Sequence, residues 1–485
     1  MEIKKPSFSD CAYKPLTDGD IRHIHAASMR VFETVGVKVC LPRALAIFRA
    51  AGADVDEHAM IVKADEDWVM RKLAAAPERV VLCGRDERYD LDLSGFNVYM
   101  GTGGTALNVL DLNTGERRPS SLRDLEHAAR LTDALKNIDF FVLSCYPNEI
   151  EKNDADVNRF YAAFKNTSKH VMGGVYTPDG VRNVAQMAAA VAGGYKRLIE
   201  RPFVSFITCI MSPLLMDRHY TELLLTAVET GLPLATPVAP MAGSTSPATL
   251  AGTLVQMNVE ALAGVLLAQC HSPGHPVLYS CVPTTMDLRY GSFCFGSVEM
   301  GLMNAACAQL SRFYNLPNYT TAGVSESKLP DAQSGYESMC SVLMCALSGC
   351  NFIHDAAGLI ESGLTISYEQ YVLDDDILGM CRRAARGIAV NADALAEYAI
   401  RETGPGGNFL AHDHTLTHMR DEFFYPNLTD RNNYTNWAAG GAKDSRALAA
   451  DLAREILAGH RPAGVPADVE RRLLDEIPGL RREWM

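Results

Sequence analysis

Four polar clusters in this chain follow directly on apolar runs, and their residue types point to definite chemistry. The first is Met100-Gly-Thr-Gly-Gly-Thr105. Gly101, Gly103 and Gly104 let a ligand approach the backbone closely, so with Thr102 and Thr105 the run reads as a cradle for a carboxylate or phosphate. It reads equally as a tight turn bending a strand. It lacks the Lys-Ser/Thr of a phosphate loop and is out of register for a dinucleotide fingerprint. The second is Ala322-Gly-Val-Ser-Glu-Ser-Lys328, continued by Leu-Pro-Asp331-Ala-Gln333-Ser-Gly-Tyr336-Glu337. Glu326, Lys328, Asp331 and Gln333 concentrate polar groups where a strand gives way to a helix. The plainer reading is a capped helix with a surface ion pair. In the third, Ile353-His354-Asp355-Ala-Ala-Gly358, small residues after the histidine let it reach a pocket. The fourth, His412-Asp-His414-Thr-Leu-Thr-His418, spaces imidazoles by two and four, and Asp413 and Glu422 are further donors for a zinc ion. No HExxH accompanies it, and the alternative is a polar loop over a pocket mouth.

Aromatic residues lie near the ends of the apolar runs: Tyr99, Tyr146, Tyr176, Tyr279, Tyr290, Phe293, Tyr368 and Tyr371. Aromatic faces with carboxylates nearby suit a quaternary ammonium ion through cation–π attraction. Each ring alone reads as packing.

The elements that must position these groups repeat. Eight strand-like runs begin near 97–100, 139–145, 169–175, 202–209, 232–237, 276–282, 318–324 and 351–355, each followed by a helical stretch. Apolar runs of this length bounded by Gly, Pro, Ser or Thr read as buried parallel strands. Eight β–α units predict an α/β fold of the (β/α)8 TIM-barrel type, with chemistry at the C-terminal strand ends. Residues 1–95 read as an N-terminal cap of mixed structure, 96–365 as the catalytic barrel and 366–485 as a helical C-terminal extension. Residues 17–50 open with Thr17-Asp-Gly-Asp, a turn and N-cap signal, followed by a helical pattern (Ile21, Ile24, Ala27, Met29, Val31, Val35), and another helix is expected over 381–399.

Composition excludes several classes. The net charge of -13 disfavours nucleic acid as a partner. Thirteen cysteines form no regular framework and no CxxC, and several sit in apolar runs, which predicts free thiols and a cytoplasmic location. The first residues lack an apolar signal core. The longest apolar helix, read over 255–268, carries Asn258 and Glu260 and is too short to span a membrane. No membrane association is expected, and the Ala-rich helices allow a homo-oligomer.

Longer strings sharpen this reading. MGTGGTALNVLD (100–111), AGVSESKLPDAQSGYE (322–337), NFIHDAAGLIESGLTISYEQYVLDDDILG (351–379) and HDHTLTHMRDEFFYPNLTDR (412–431) resemble, in order, the trimethylamine methyltransferase (MttB-like) family. The resemblance implies a TIM barrel that moves a methyl group from a methylated amine to the cobalt of a corrinoid on a separate small protein. No tightly bound cofactor or metal of its own is implied. Founding members carry pyrrolysine, expected here near 323–333, yet this chain has only the twenty standard residues. It therefore resembles the branch associated with glycine betaine, proline betaine, carnitine or γ-butyrobetaine. A quaternary amine leaves as a neutral tertiary amine and needs no general acid. On this reading Glu326, Asp331 and His354 are the candidate catalytic groups, the two acids adding charge complementarity. Tyr99, Tyr176, Tyr290, Tyr368 and Tyr371 would hold the cation, with Lys328 and Gln333 beside it. Gly101–Thr105, His354 and Arg289 would bind a substrate carboxylate. Two rivals remain: a quaternary-amine sensor without methyl transfer, and a barrel enzyme acting on a phosphorylated metabolite.

Overall fold

A computed structural model describes residues 12–481. Its centre is one sheet of eight parallel strands: β1 (Tyr99–Thr102), β2 (Phe140–Val142), β3 (His170–Gly174), β4 (Val204–Ile207), β5 (Leu234–Ala235), β6 (Val277–Ser280), β7 (Asn318–Thr321) and β8 (Phe352–Ala357). They follow chain order, and β8 pairs with β1. Between β1 and β2 a side chain closes the ring. Thr102 Oγ1 donates to Val142 O and accepts from Val142 N, both at 2.8 Å. Asp139 N donates to Met100 O at 2.7 Å, and a parallel bridge joins Ala106 to Cys145. The eight expected strands are therefore present as a (β/α)8 barrel.

Stacked rings fill the interior. Phe140 lies on Phe352 at 3.6 Å between centroids, Phe352 on Tyr319 at 5.4 Å, and Tyr319 on His354 at 5.1 Å. Gly101 has no side chain because Phe140 occupies the space a Cβ would need. At the N-terminal end the hairpin Val80–Leu82/Leu91–Leu93 plugs the barrel, Val80, Leu82, Leu91 and Leu93 packing with Tyr99, Phe140 and Met172. Each such side chain is worth roughly 1.5–3 kcal/mol of burial.

The N-terminal unit begins with helix Asp18–Thr34, started by the Thr17/Asp20 capping box. It packs on helix Leu250–His271. That helix has 22 residues, longer than the sequence reading of 255–268 and long enough to cross a membrane. It is apolar all round because the barrel lies on one side and the N-terminal unit on the other.

The helix after β8, Tyr368–Arg386, packs between helices Ala332–Leu347 and Leu122–Ala134 in the barrel's outer ring. The expected helix over 381–399 is corrected: it stops at Arg386, where Gly387 takes φ 71°, and the next helix is Glu397–Thr403. Helices Asp413–Glu422 and Tyr434–Ala439 bury none of their residues. Helix Ser445–Gly459 returns to pack on Tyr368–Arg386.

Candidate functional site

The barrel mouth carries a carboxylate pair beyond β7. Glu326 accepts hydrogen bonds from Gly296 N at 2.8 and 2.9 Å. Glu337, in the second turn of helix Ala332–Leu347, accepts from Ser325 Oγ at 2.5 Å, Glu326 N at 3.0 Å and Gln333 Nε2 at 3.0 Å. A Cβ on Gly296 would lie 2.6 Å from Glu326 Oε2 and 2.7 Å from Glu337 Oε2, so the two oxygens face each other across that glycine. Among the described residues neither acid has an ion-pair partner. Lys328 is exposed and donates instead to the Glu326 carbonyl at 2.7 Å. Burial holds the Glu326 carboxyl above its usual range and the Glu337 charge adds to this, while N–H groups of Gly296 and Phe295 pull the other way. Phe295 itself packs on the barrel interior, which places this pair over the mouth.

Midway along β8, level with the last residue of β7, His354 tops the column of rings. Its Nε2 accepts from Gly104 N at 3.2 Å, which assigns the proton to Nδ1. Nδ1 lies 2.9 Å from Asp355 Oδ2 but off hydrogen-bonding alignment, leaving that nitrogen without a bond. Asp355 is buried at φ +66°, where β8 shifts register against β1. A non-glycine residue there is strained by roughly 1–3 kcal/mol. Its Oδ2 accepts from Thr321 Oγ1 at 2.7 Å, and its Oδ1 has no partner. Gly103 is bare because a Cβ would collide with Asp355 Oδ1 and backbone N. The glycine run is thus partly a packing device. Gly101 and Gly103 admit Phe140 and Asp355, Thr102 closes the barrel, and Gly104 spends its N–H on His354. Thr105 Oγ1 donates to Gly104 O at 2.6 Å.

Across the mouth, Tyr176 meets Tyr146 edge-on at 5.6 Å. Arg159, from helix Lys152–Asn166, lies over the Tyr176 ring at 5.2 Å. Past β4, Thr208 Oγ1 is buried without a partner. Cys209 keeps an exposed surface, yet burial pushes its thiol up to about 11. Accessible surface combined with desolvation marks the wall of a recess.

The structure brings Glu326, Gln333, His354, Tyr176 and the 101–105 run to the mouth and places six other candidates elsewhere. Tyr99 starts β1 at the plugged end, its hydroxyl accepting from Asp92 N at 3.1 Å. Tyr368 lies outside the barrel, donating to Asp124 Oδ1 at 2.6 Å. Tyr371 is buried behind β8 against Gly358. Asp331 caps helix Ala332–Leu347 through Ser334 N. Arg289 pairs with Asp287 at 2.7 Å on an exposed hairpin, where Tyr290 is 80% exposed. Each lies near a strand run in the sequence, and that nearness does not say which end of the strand or which face. In the tail, His412 meets Glu402 and His418 meets Asp393, each at 3.3 Å. Among the described residues no three donors converge on a metal position. Sequence reasoning missed Glu337, Asp355 and Arg159. The first two stand within the second and third polar clusters but carry no assigned role there, and Arg159 carries no signal.

A family model described as trimethylamine methyltransferase (MTTB) matches residues 2–483. Trimethylamine methyltransferase MttB of Desulfitobacterium hafniense (strain DSM 10664 / DCB-2) is 36% identical over 468 residues, covering 96% of this chain and 94% of that protein. Its counterpart in Methanosarcina thermophila is 35% identical over 461 residues, covering 93% and 94%. A glycine betaine methyltransferase of Desulfitobacterium hafniense (strain Y51) is 32% identical over 462 residues, covering 95% and 96%. Among solved structures, the monomethylamine methyltransferase MtmB of Methanosarcina barkeri superposes with a TM-score of 0.50 at 13% identity, covering 91% of this chain and 94% of that one. At that identity the likeness speaks for the fold alone.

Proposed function

We propose, from the premise that this chain belongs to the trimethylamine methyltransferase (MTTB) family, that it moves a methyl group from a quaternary amine to the Co(I) corrinoid of a separate protein. The observation that carries this reading is the Glu326–Glu337 pair, two acids over the mouth with no ion-pair partner among the described residues. Such a site favours a permanent cation and opposes a phosphate, which sets aside the phosphorylated-metabolite reading. One relative is named a glycine betaine methyltransferase, and this chain, like a quaternary-amine enzyme, has only standard residues.

The chemistry asks little of the protein beyond placement. Co(I) attacks a methyl carbon in line, the C–N bond breaks, and its electron pair stays on nitrogen as a neutral tertiary amine. No proton is needed. Positive charge on nitrogen falls as the bond breaks, so the carboxylates bind the ground state more strongly than the transition state. Their contribution is to KM, and removing one of them should leave kcat unchanged or slightly higher. Rate comes from orienting one methyl group toward the open mouth and excluding water.

The test is a cobalt spectrum. The protein is mixed anaerobically with Co(I) cobalamin and a panel of quaternary amines, with trimethylamine as control. Methyl–Co(III) from a quaternary amine and none from trimethylamine is the expected result. Tight binding without any methyl–Co(III) would favour a quaternary-amine sensor instead.

A further inference from the structure

Residues 388–421 form an arm with almost no interior of its own. Of this stretch only Ala399 is buried. Its helices, Glu397–Thr403 and Asp413–Glu422, are 7 and 10 residues long, and helices this short do not hold themselves in water. They are nonetheless tied into one unit. Glu402 meets His412 and Asp393 meets His418, each at 3.3 Å. Thr415 Oγ1 donates to Phe409 O at 2.7 Å, and the His414 and His418 rings lie 4.3 Å apart. Among the described residues, the hydrogen bonds and ion pairs of 388–421 all end within 388–425. The two feet of the arm stand on helix Tyr368–Arg386. Arg383 Nη1 donates to Gly387 O at 2.9 Å where the arm leaves, and Asp376 accepts from Asn427 N and Leu428 N at 2.8 Å where the chain has returned.

The outer surface of the arm is apolar. Ile388, Val390, Leu395, Ile400, Leu410 and Leu416 are each more than half exposed, Ile388 at 85% and Leu410 at 80%. A chain that stays single seldom leaves so much apolar surface in one place. Covering these side chains and the rings between them would remove on the order of 800 Å² from water, which is what each partner of a stable interface contributes. The position of the feet bears on what covers it. Arg382, one turn before the exit, bonds Asp139 at 2.8 Å, and Asp139 directly precedes β2, so the arm leaves at the plugged end. A protein that must bring cobalt to the mouth docks at the opposite end. Two copies of this chain present identical apolar arms, and a two-fold axis brings such a patch onto itself with no further complement needed.

We propose that the arm 388–421 is the surface through which two copies of this chain associate, arm on arm about a two-fold axis. The contact holds whichever amine the mouth takes.

The test is sedimentation velocity on the full chain. At micromolar concentration the wild type should sediment at twice the mass of one chain or a multiple of it. Leu410→Asp combined with Leu416→Asp should raise the dissociation constant at least about 100-fold and leave the circular dichroism spectrum native. Both side chains are exposed in the single chain, so the substitutions disturb only what covers them. If that variant does not fold, Ile388→Asp stands in, at the exit of the arm. Leu288→Asp is the control: Leu288 is 71% exposed on the hairpin at the mouth, and its loss should leave association unchanged. A wild type that sediments as a single chain overturns the proposal. So does association that survives the paired substitution, or that Leu288→Asp abolishes.

Discussion

The two ends of the barrel each hold a buried histidine, and they treat it in opposite ways. At the plugged end His170 is fully bonded, Nδ1 to Cys83 O at 2.9 Å and Nε2 to Ser205 Oγ at 2.7 Å. Burial pushes its pKa down to about 4, so it is a neutral part of the core. At the mouth His354 Nδ1 and Asp355 Oδ1 lack bonds, Asp355 sits at positive φ, and two acids face each other. Buried polar groups left unsatisfied are expensive, and only around His354 and Asp355 do they coincide with a strained φ and a facing pair of acids, which marks the mouth as the working end.

The contrast can be broken or sharpened by substitution. The largest effect is expected from Gly103→Ala. Its methyl group collides with Asp355 and must displace the β8 bulge, so turnover should fall at least about 100-fold while the circular dichroism spectrum stays native. Turnover within a few-fold of wild type would mean the bulge is not part of the site. His170→Ala should cost roughly 4 kcal/mol of stability, read from denaturant unfolding. Ligand affinity of the protein that remains folded should not change, and a change would show that the plugged end reaches the site.

Glu260 gives a pH-dependent effect. It is buried and accepts from Ser212 Oγ at 2.6 Å and Leu214 N at 2.8 Å, fixing the loop between β4 and the next helix. Burial raises its pKa from 4.5 to about 7, against the pull of these bonds. The folded chain then holds a proton that the unfolded chain releases between those values. Its contribution is full below pH 4.5 and is lost as pH rises through 7, an effect of about 3 kcal/mol at most. Glu260→Gln should flatten the fall of Tm between pH 5 and 7.5; an unchanged slope would place the titration elsewhere. The smallest effect is Asp355→Gly. It relieves a strained φ but loses the bond from Thr321, so stability should rise by about 1 kcal/mol or less while activity falls. A clear loss of stability would show that Asp355 is a structural residue like His170.

The barrel was legible because its strands lie in short, largely apolar stretches bounded by Gly, Pro, Ser or Thr; even β5, only Leu234–Ala235, lies inside such a stretch. Glu326 and His354 were legible because they follow those runs directly. Glu337 was not, since its inward direction depends on where Asp331 starts the helix. Arg159 was not, because its helix reads as half polar yet is buried from Ala155 to Phe164. Tyr99 misled for a related reason. Its run shows a strand but not which of its residues stands at the plugged end.

The central claim is that a quaternary ammonium ion sits on the Glu326–Glu337 pair. Its most direct test is steady-state kinetics of Co(I) methylation by the wild type and by Glu326→Gln, using the amine that works best. The account predicts a KM raised about 10-fold or more with kcat within about 3-fold, because the acid meets a charge that fades in the transition state. An unchanged KM with kcat reduced by orders of magnitude would contradict it and make Glu326 a participant in the chemical step.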